Sequence, residues 1–226
     1  MTAMEQRQGS ATGPRSTAWL IGPAVGVVSV LGVMVVGVGF SVTDDLSVET
    51  MLDKLESARS VLLLGGALEA LAAMALVIFG AWIFTVLRAV EPPGALTALV
   101  AGGGSLLTAA MLAMAAAHTQ LATYEPKDSI DPAIPLTLHT LEENLYAGAW
   151  CSLALVAGAV AVAALRHRVL PTWFGGVSAF IAVLLLVLQI VVPWGGWFPA
   201  AVWLVVAGFG LRATPVSVAR TGGPSS

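Results

Sequence analysis

The sequence is short of charge. Lys, Arg, Asp and Glu make up 10% of its 226 residues, against about 25% in soluble domains. Lysine is scarcest of these: Lys54 and Lys127 are the only two. No polar stretch is long enough to build a soluble domain of its own. Cysteine is nearly absent. A lone Cys151 excludes an intramolecular disulfide, and its apolar run lacks the electropositive setting of a reactive thiol. There is no HExxH helix. The glycine triplet Gly102–Gly104 lacks the Lys and Ser/Thr of a phosphate loop. No lysine lies in an apolar run, which excludes a retinal Schiff base. The three histidines do not form paired axial ligands, so haem is not expected. With net charge −3 and no basic run, a nucleic-acid partner is not expected either.

What is there is apolar. Hydrophobic residues make up 58% of the chain, more than one water-soluble core can hide. Lipid is the natural solvent and the expected partner, with other membrane proteins as a further class of partner. About 20 apolar residues cross a hydrocarbon layer of roughly 30 Å. Six segments fit or come close: Trp19–Phe40, Val61–Leu87, Ala95–Ala117, Leu145–Leu165, Phe174–Val192 and the shorter Phe198–Leu211. The expected fold is all-α, a six-helix membrane bundle over residues 19–211. Residues 1–18 and 212–226 are expected to be disordered cytoplasmic tails. The first segment is too long for a signal-peptide core and no small-residue cleavage site follows it.

Positive charge sets the orientation. With the N-terminus inside, Arg7, Arg15, Arg88, Arg166, Arg168, Arg212 and Arg220 are cytoplasmic, leaving Lys54, Arg59 and Lys127 outside. Both termini are then expected in the cytoplasm. Arginine outnumbers lysine, and Ala, Val, Leu and Gly dominate, as a GC-rich genome would write. The expected location is a bacterial plasma membrane. Trp19, Trp173, Trp194 and Trp197 fall at interfaces, whereas Trp150 and Trp203 lie deeper as packing residues. Val48, Met51, Leu52, Leu55 and Ala58 recur at helical spacing among charges. They predict a short amphipathic helix in the first outer loop. The second outer loop, about His118 to Glu142, contains Pro126, Pro132 and Pro135. It predicts an irregular connection, with the fourth helix starting near Pro135 or Thr137.

Glycines inside the segments, among them Gly32, Gly66, Gly104 and Gly148, suit close helix packing. The Gly102–Gly104 triplet also suits a hinge of the kind transporters use. Three plus three crossings would permit an inverted repeat, but the halves share no motif.

Ionisable groups inside a membrane are costly and mark function by default. Glu69 is the clear case. It is expected to face the bundle interior, either as a working carboxyl or as a neutral acid hydrogen-bonded to a Ser or Thr of a neighbouring helix. Ser105, Thr108 and Gln189 are the other buried polar groups, expected to make interhelical hydrogen bonds. Ser105 and Gln189 join Glu69 as candidates for a substrate or proton path. A second concentration is His139-Thr-Leu-Glu-Glu-Asn-Leu-Tyr146. His139 and Glu143 share one helical face, and Glu142 and Tyr146 share an adjacent stripe. His118, at the end of the third segment, lies at the same level. His118, His139 and Glu143 are therefore candidate ligands of a divalent metal such as zinc. The alternative is an ordinary interfacial polar role for each.

The turn Arg168-Val-Leu-Pro171-Thr-Trp173-Phe-Gly175-Gly176 resembles one in a bacterial family of six-helix membrane proteins of unknown function. There a Leu-Pro-x-Trp-x-Gly turn enters the fifth helix, after a fourth helix that opens with a polar, often His-containing stretch. Here His139 to Tyr146 stands in that place. The likeness in helix number and order spans about Trp19 to Leu211. It implies architecture and carries no activity or site residue. Physically, Arg166 and Arg168 meet headgroups, Pro171 suits a first helical position, and Trp173 anchors the interface.

Three functional classes fit these residues. The first is a non-enzymatic accessory, sensory or scaffold subunit. The second is a small transporter or channel using Glu69. The third is a metal-dependent intramembrane hydrolase at the outer mouth of the bundle.

Overall fold

A computed structural model describes residues 20–39, 48–124, 131 and 133–212. Regular structure among them is helical throughout. The helices are α1 (Ile21–Gly39), α2 (Val48–Val90), α3 (Thr97–Tyr124), α4 (Ala133–Leu165), α5 (Thr172–Val191) and α6 (Trp197–Arg212). A 3-10 turn, Pro193–Gly196, joins the last two. The tails expected at 1–18 and beyond Arg212 lie outside the described residues.

Proline places the breaks. Nothing in α2 interrupts helix until Pro92-Pro93-Gly94, where Gly94 takes φ +83, a left-handed conformation open to a residue without Cβ. Glu91 ties this turn together. Its side chain is only 1% exposed and takes Arg88 Nη1 at 2.9 Å. Its other oxygen accepts the Thr97 hydroxyl at 2.7 Å and the Ala98 N–H at 3.0 Å. One carboxylate thus caps the start of α3 and pairs with the end of α2. Burial pushes this carboxyl up, but the Ala98 N–H, the Thr97 hydroxyl and Arg88 together outweigh it and hold it below its ordinary value. At the start of α4, Asp131 Oδ1 accepts the Ala133 N–H at 2.9 Å. Pro135 then falls in the first helical turn, where the ring costs no intrahelical hydrogen bond.

Several expectations need correction. The amphipathic segment Val48–Ala58 is not a separate helix. It forms the first turns of the 43-residue α2, because no Pro or Gly lies between Val48 and Val61. The connection from His118 is not irregular at its start, since α3 runs on to Tyr124. Gly102–Gly104 is continuous helix and no unwound hinge. Pro171 is the N-cap of α5, with φ −56 and ψ 134, one residue earlier than expected.

Each helix packs antiparallel on the next, and α6 returns to pack on α1, so the six close a ring in chain order. Small residues allow the approach. A Cβ on Gly22 would lie 2.7 Å from Leu204 O of α6, and one on Gly104 2.9 Å from Val156 Cγ2 of α4. In lipid, such packing replaces the hydrophobic drive of water. The ring interior is filled by fully buried Phe79, Ile83, Leu153, Phe174 and Trp203. Phe79 meets Trp203 edge-on at 6.5 Å, and the Trp203 indole N–H donates to Ser178 Oγ at 3.1 Å. Trp150 and Trp203 are packing residues, as their depth predicts.

The outside of the ring is as apolar as the inside. Ile190 is 84% and Phe180 65% exposed, among many large aliphatic and aromatic side chains facing outward. An apolar surface this extensive marks contact with lipid or protein. Among the described residues, four helices are long and apolar enough to cross a membrane: Leu52–Val90, Thr97–Thr123, Thr140–Leu165 and Thr172–Val191. Trp197–Leu211 is a shorter apolar helix.

Candidate functional site: a buried carboxyl pair

The inward faces of α2, α3 and α4 are apolar along most of their length and bring buried carboxyls together at one level. There α2 contributes Glu69, 2% exposed. From α3 come Thr119 and Thr123, both buried. From α4 come Glu142, also buried, and Tyr146 one turn on. The Thr119 hydroxyl donates to Glu142 Oε1 at 2.6 Å. Glu142 acts electrostatically on Glu69, and the Tyr146 hydroxyl lies beside both carboxyls. The helices thus bring two acids together that are 73 positions apart in the chain.

Glu69 is left short of partners. Neither carboxyl oxygen has a hydrogen bond of acceptable geometry, and neither does the Tyr146 hydroxyl. Among the described residues, no basic group acts on Glu69. The Ser or Thr partner expected for Glu69 is absent, because Thr119 serves Glu142 instead. Gly32 of α1 covers Glu69 on the fourth side. A Cβ there would lie 3.1 Å from Glu69 Cγ.

Below the site, the Tyr146 ring stacks on Trp150 at 6.4 Å and 14°. The turn between α5 and α6 rests on the same indole, since a Cβ on Gly196 would lie 2.8 Å from Trp150 Cβ. The carboxyl pair therefore lies beyond the level of the α5–α6 turn, towards the start of α4. Past Trp150 in the opposite direction the apolar interior begins, with Ala73, Leu76, Phe79 and Leu153 fully buried.

Of the remaining candidates, Ser105 lies well away from the pair. Ser105 is fully buried against Gly80, eleven positions along α2 from Glu69, about 16 Å of helix. Its hydroxyl and that of Thr108 do not cross to another helix. Each donates to the carbonyl four residues back in α3, at 2.8 Å, a local bond open to these residues in any helix. Gln189 is half-buried on α5, which packs on α4. His118 is half-buried, with Nδ1 enclosed and without a partner. Glu143 is exposed. His139 lies on α4, but its side chain is outside the described residues. Among the described residues, no three His, Cys, Asp or Glu side chains are grouped to hold a metal.

Sequence reasoning noticed Glu142 and Tyr146 as a stripe but chose Glu143 as the ligand, and it passed over Thr119. A signal was present. The buried series Ala149, Leu153, Val156 and Val160 on α4, carried back at helical spacing, reaches Tyr146 and Glu142 and not Glu143. On α3 the series Leu112, Ala115, Ala116 carries forward to Thr119 and Thr123 in the same way.

Comparison with curated proteins and with solved structures finds no match. Residues 23–218 match the family model DUF4386, a domain of unknown function. That span includes all four residues of the site and the Leu170-Pro171-Thr172-Trp173 turn. The chain belongs to the DUF4386 family of unknown function.

Proposed function

We propose that this chain is a six-crossing subunit of a bacterial plasma membrane, with both termini in the cytoplasm, and that it is non-enzymatic. In this reading Glu69 and Glu142 are its working element, a carboxyl pair that exchanges protons or small cations with the outer side. The observation that carries it is the convergence of two buried acids, a tyrosine and a threonine from three helices, with the Glu69 oxygens unpaired.

The depth of the pair supports an outer entry. Nineteen positions separate Glu69 from Arg88, about 28 Å of helix, against roughly 30 Å of hydrocarbon. With Arg88 at the inner headgroups, the pair lies close to the outer boundary. The apolar interior between Leu76 and Ile83 then separates it from the cytoplasm. A site open on one side and plugged on the other suits a sensory or accessory subunit better than an open channel. A transporter remains the second reading. It is favoured by the close approach of the Gly32 backbone to Glu69 on the α1 side, where no side chain stands on Gly32 itself.

Two experiments test this. In a Cys151→Ser background, Thr137→Cys should react with an impermeant maleimide added outside whole cells, and Thr172→Cys only after permeabilisation; the reverse pattern would sink the orientation. In proteoliposomes, an external pH step should change tryptophan fluorescence in wild type and not in Glu69→Gln. Sustained, Glu69-dependent flux of protons or cations would replace the sensory reading with transport.

A further inference from the structure

We propose that Glu69, Glu142, Tyr146 and Thr119 form a binding site for a hard divalent cation of the Mg2+, Ca2+ or Mn2+ class, entered from the outer side. This rests on the reading of the two acids as the working pair.

The first argument is what Glu69 lacks. It is 2% exposed, both oxygens are unpartnered, and no basic side chain among the described residues acts on it. A buried carboxyl left this way costs several kcal/mol, and in a membrane such a group is retained for a use. Thr119 directs its one hydroxyl hydrogen at Glu142 and leaves Glu69 without it.

The second argument is donor chemistry. The groups at hand are two carboxyls and two hydroxyls, all oxygen. Oxygen sets select hard cations, whereas zinc and copper favour imidazole and thiolate. Two carboxylates carry the charge that one divalent ion neutralises; a monovalent ion would leave one charge buried. The donors also come from three helices, so a bound ion would tie α2, α3 and α4 together at the end where they rise past the α5–α6 turn. The remaining coordination positions would be filled by water, as such ions usually keep several waters. Among the described residues, Gly32 of α1 and Glu142 and Tyr146 of α4 face Glu69, Thr119 of α3 is bonded to Glu142, and none of these is a cation.

The site has a built-in optical reporter. Tyr146 stacks on Trp150, so an ion that draws in the tyrosine hydroxyl should alter the emission of that indole.

The test is Mn2+ binding to the full chain in detergent at neutral pH, followed by electron paramagnetic resonance. Wild type should bind about one Mn2+ per chain, displaced by Mg2+ or Ca2+. Glu69→Gln and Glu142→Gln should each weaken binding at least 100-fold. Tyr146→Phe should weaken it about tenfold. Added Mn2+ should raise Tm in wild type and in neither Gln variant, and the fluorescence response should vanish in Trp150→Phe. No binding to folded wild type at millimolar Mn2+ would overturn the proposal, as would binding that survives both Gln substitutions or stabilisation by Na+ alone. The pH-step response is measured without metal. If it persists while Mn2+ fails to bind, the cation site falls and the proton-exchanging pair stands. If both fail, the pair itself is structural.

Discussion

Gly32 of α1 presses its backbone against Glu69 of α2, so that a single added carbon would stand 3.1 Å from Glu69 Cγ. The contact explains how a carboxyl with no hydrogen-bond partner stays almost wholly out of reach of solvent.

That wall can be thickened without touching the acids. Gly32→Ala requires Glu69 to shift by a few tenths of an ångström and should be tolerated. Gly32→Val should overpack the contact and cost about 1–3 kcal/mol. Thermal unfolding in detergent checks the order, wild type above Ala above Val. A Val variant as stable as wild type would mean that α1 does not hold Glu69 in place.

Thr119 should matter through its hydroxyl alone. It satisfies Glu142 at 2.6 Å in a buried setting. Thr119→Val keeps the shape and leaves a buried acceptor without its donor, at about 1–3 kcal/mol. Thr119→Ser keeps the hydroxyl and should cost only about 0.8 kcal/mol, the value of one buried methyl group. A larger loss in Ser than in Val would point to packing of the methyl group instead.

Gly210 and Phe174 make a lock at the opposite end of the bundle. A Cβ on Gly210 would lie 2.7 to 2.9 Å from three atoms of the Phe174 ring, and that ring is fully buried. Gly210→Ala should destabilise by about 1–3 kcal/mol. Phe174→Leu should lose stability by itself but less in the Gly210→Ala background, since it removes the clash. A double-mutant cycle reads that coupling; strict additivity would show that the two residues do not meet.

Glu91 gives the pH prediction. Its carboxyl is held below its ordinary value chiefly by the Ala98, Thr97 and Arg88 bonds. A depressed carboxylate contributes stability that is fully present above the unfolded-state value. That stability is lost as pH falls through the folded-state value. The tie between α2 and α3 should therefore hold at neutral pH and fail in acid, below the ordinary glutamate range. Glu91→Gln should lower Tm at pH 7 and flatten the acid limb of the stability curve. An unchanged acid limb would assign the loss to other carboxyls.

Much of the architecture was legible because lipid imposes a simple rule. Backbone groups in hydrocarbon must be satisfied within the segment, so long apolar runs bounded by prolines become helices. The six segments, their order and the Pro92-Pro93-Gly94 break follow from that rule. Helix length beyond the apolar run did not follow. Val48–Ala58 and the residues after His118 are polar enough to read as loop or surface helix, and only packing among α2, α3 and α4 extends them. Glu69 stood out by its cost in an apolar run. Its relation to Glu142 did not, because helical periodicity gives the face of a residue but not its level against a helix two elements away. That level is set by how far α2 and α4 slide past each other. The slide is fixed by close contacts such as Gly66 on Ala116, Gly104 on Val156 and Gly148 on Met111. The sequence alone determined that this is a helical membrane protein with one costly carboxyl. The tertiary structure decided that the carboxyl has a second acid for company, because only the register of packed helices brings distant positions to one depth.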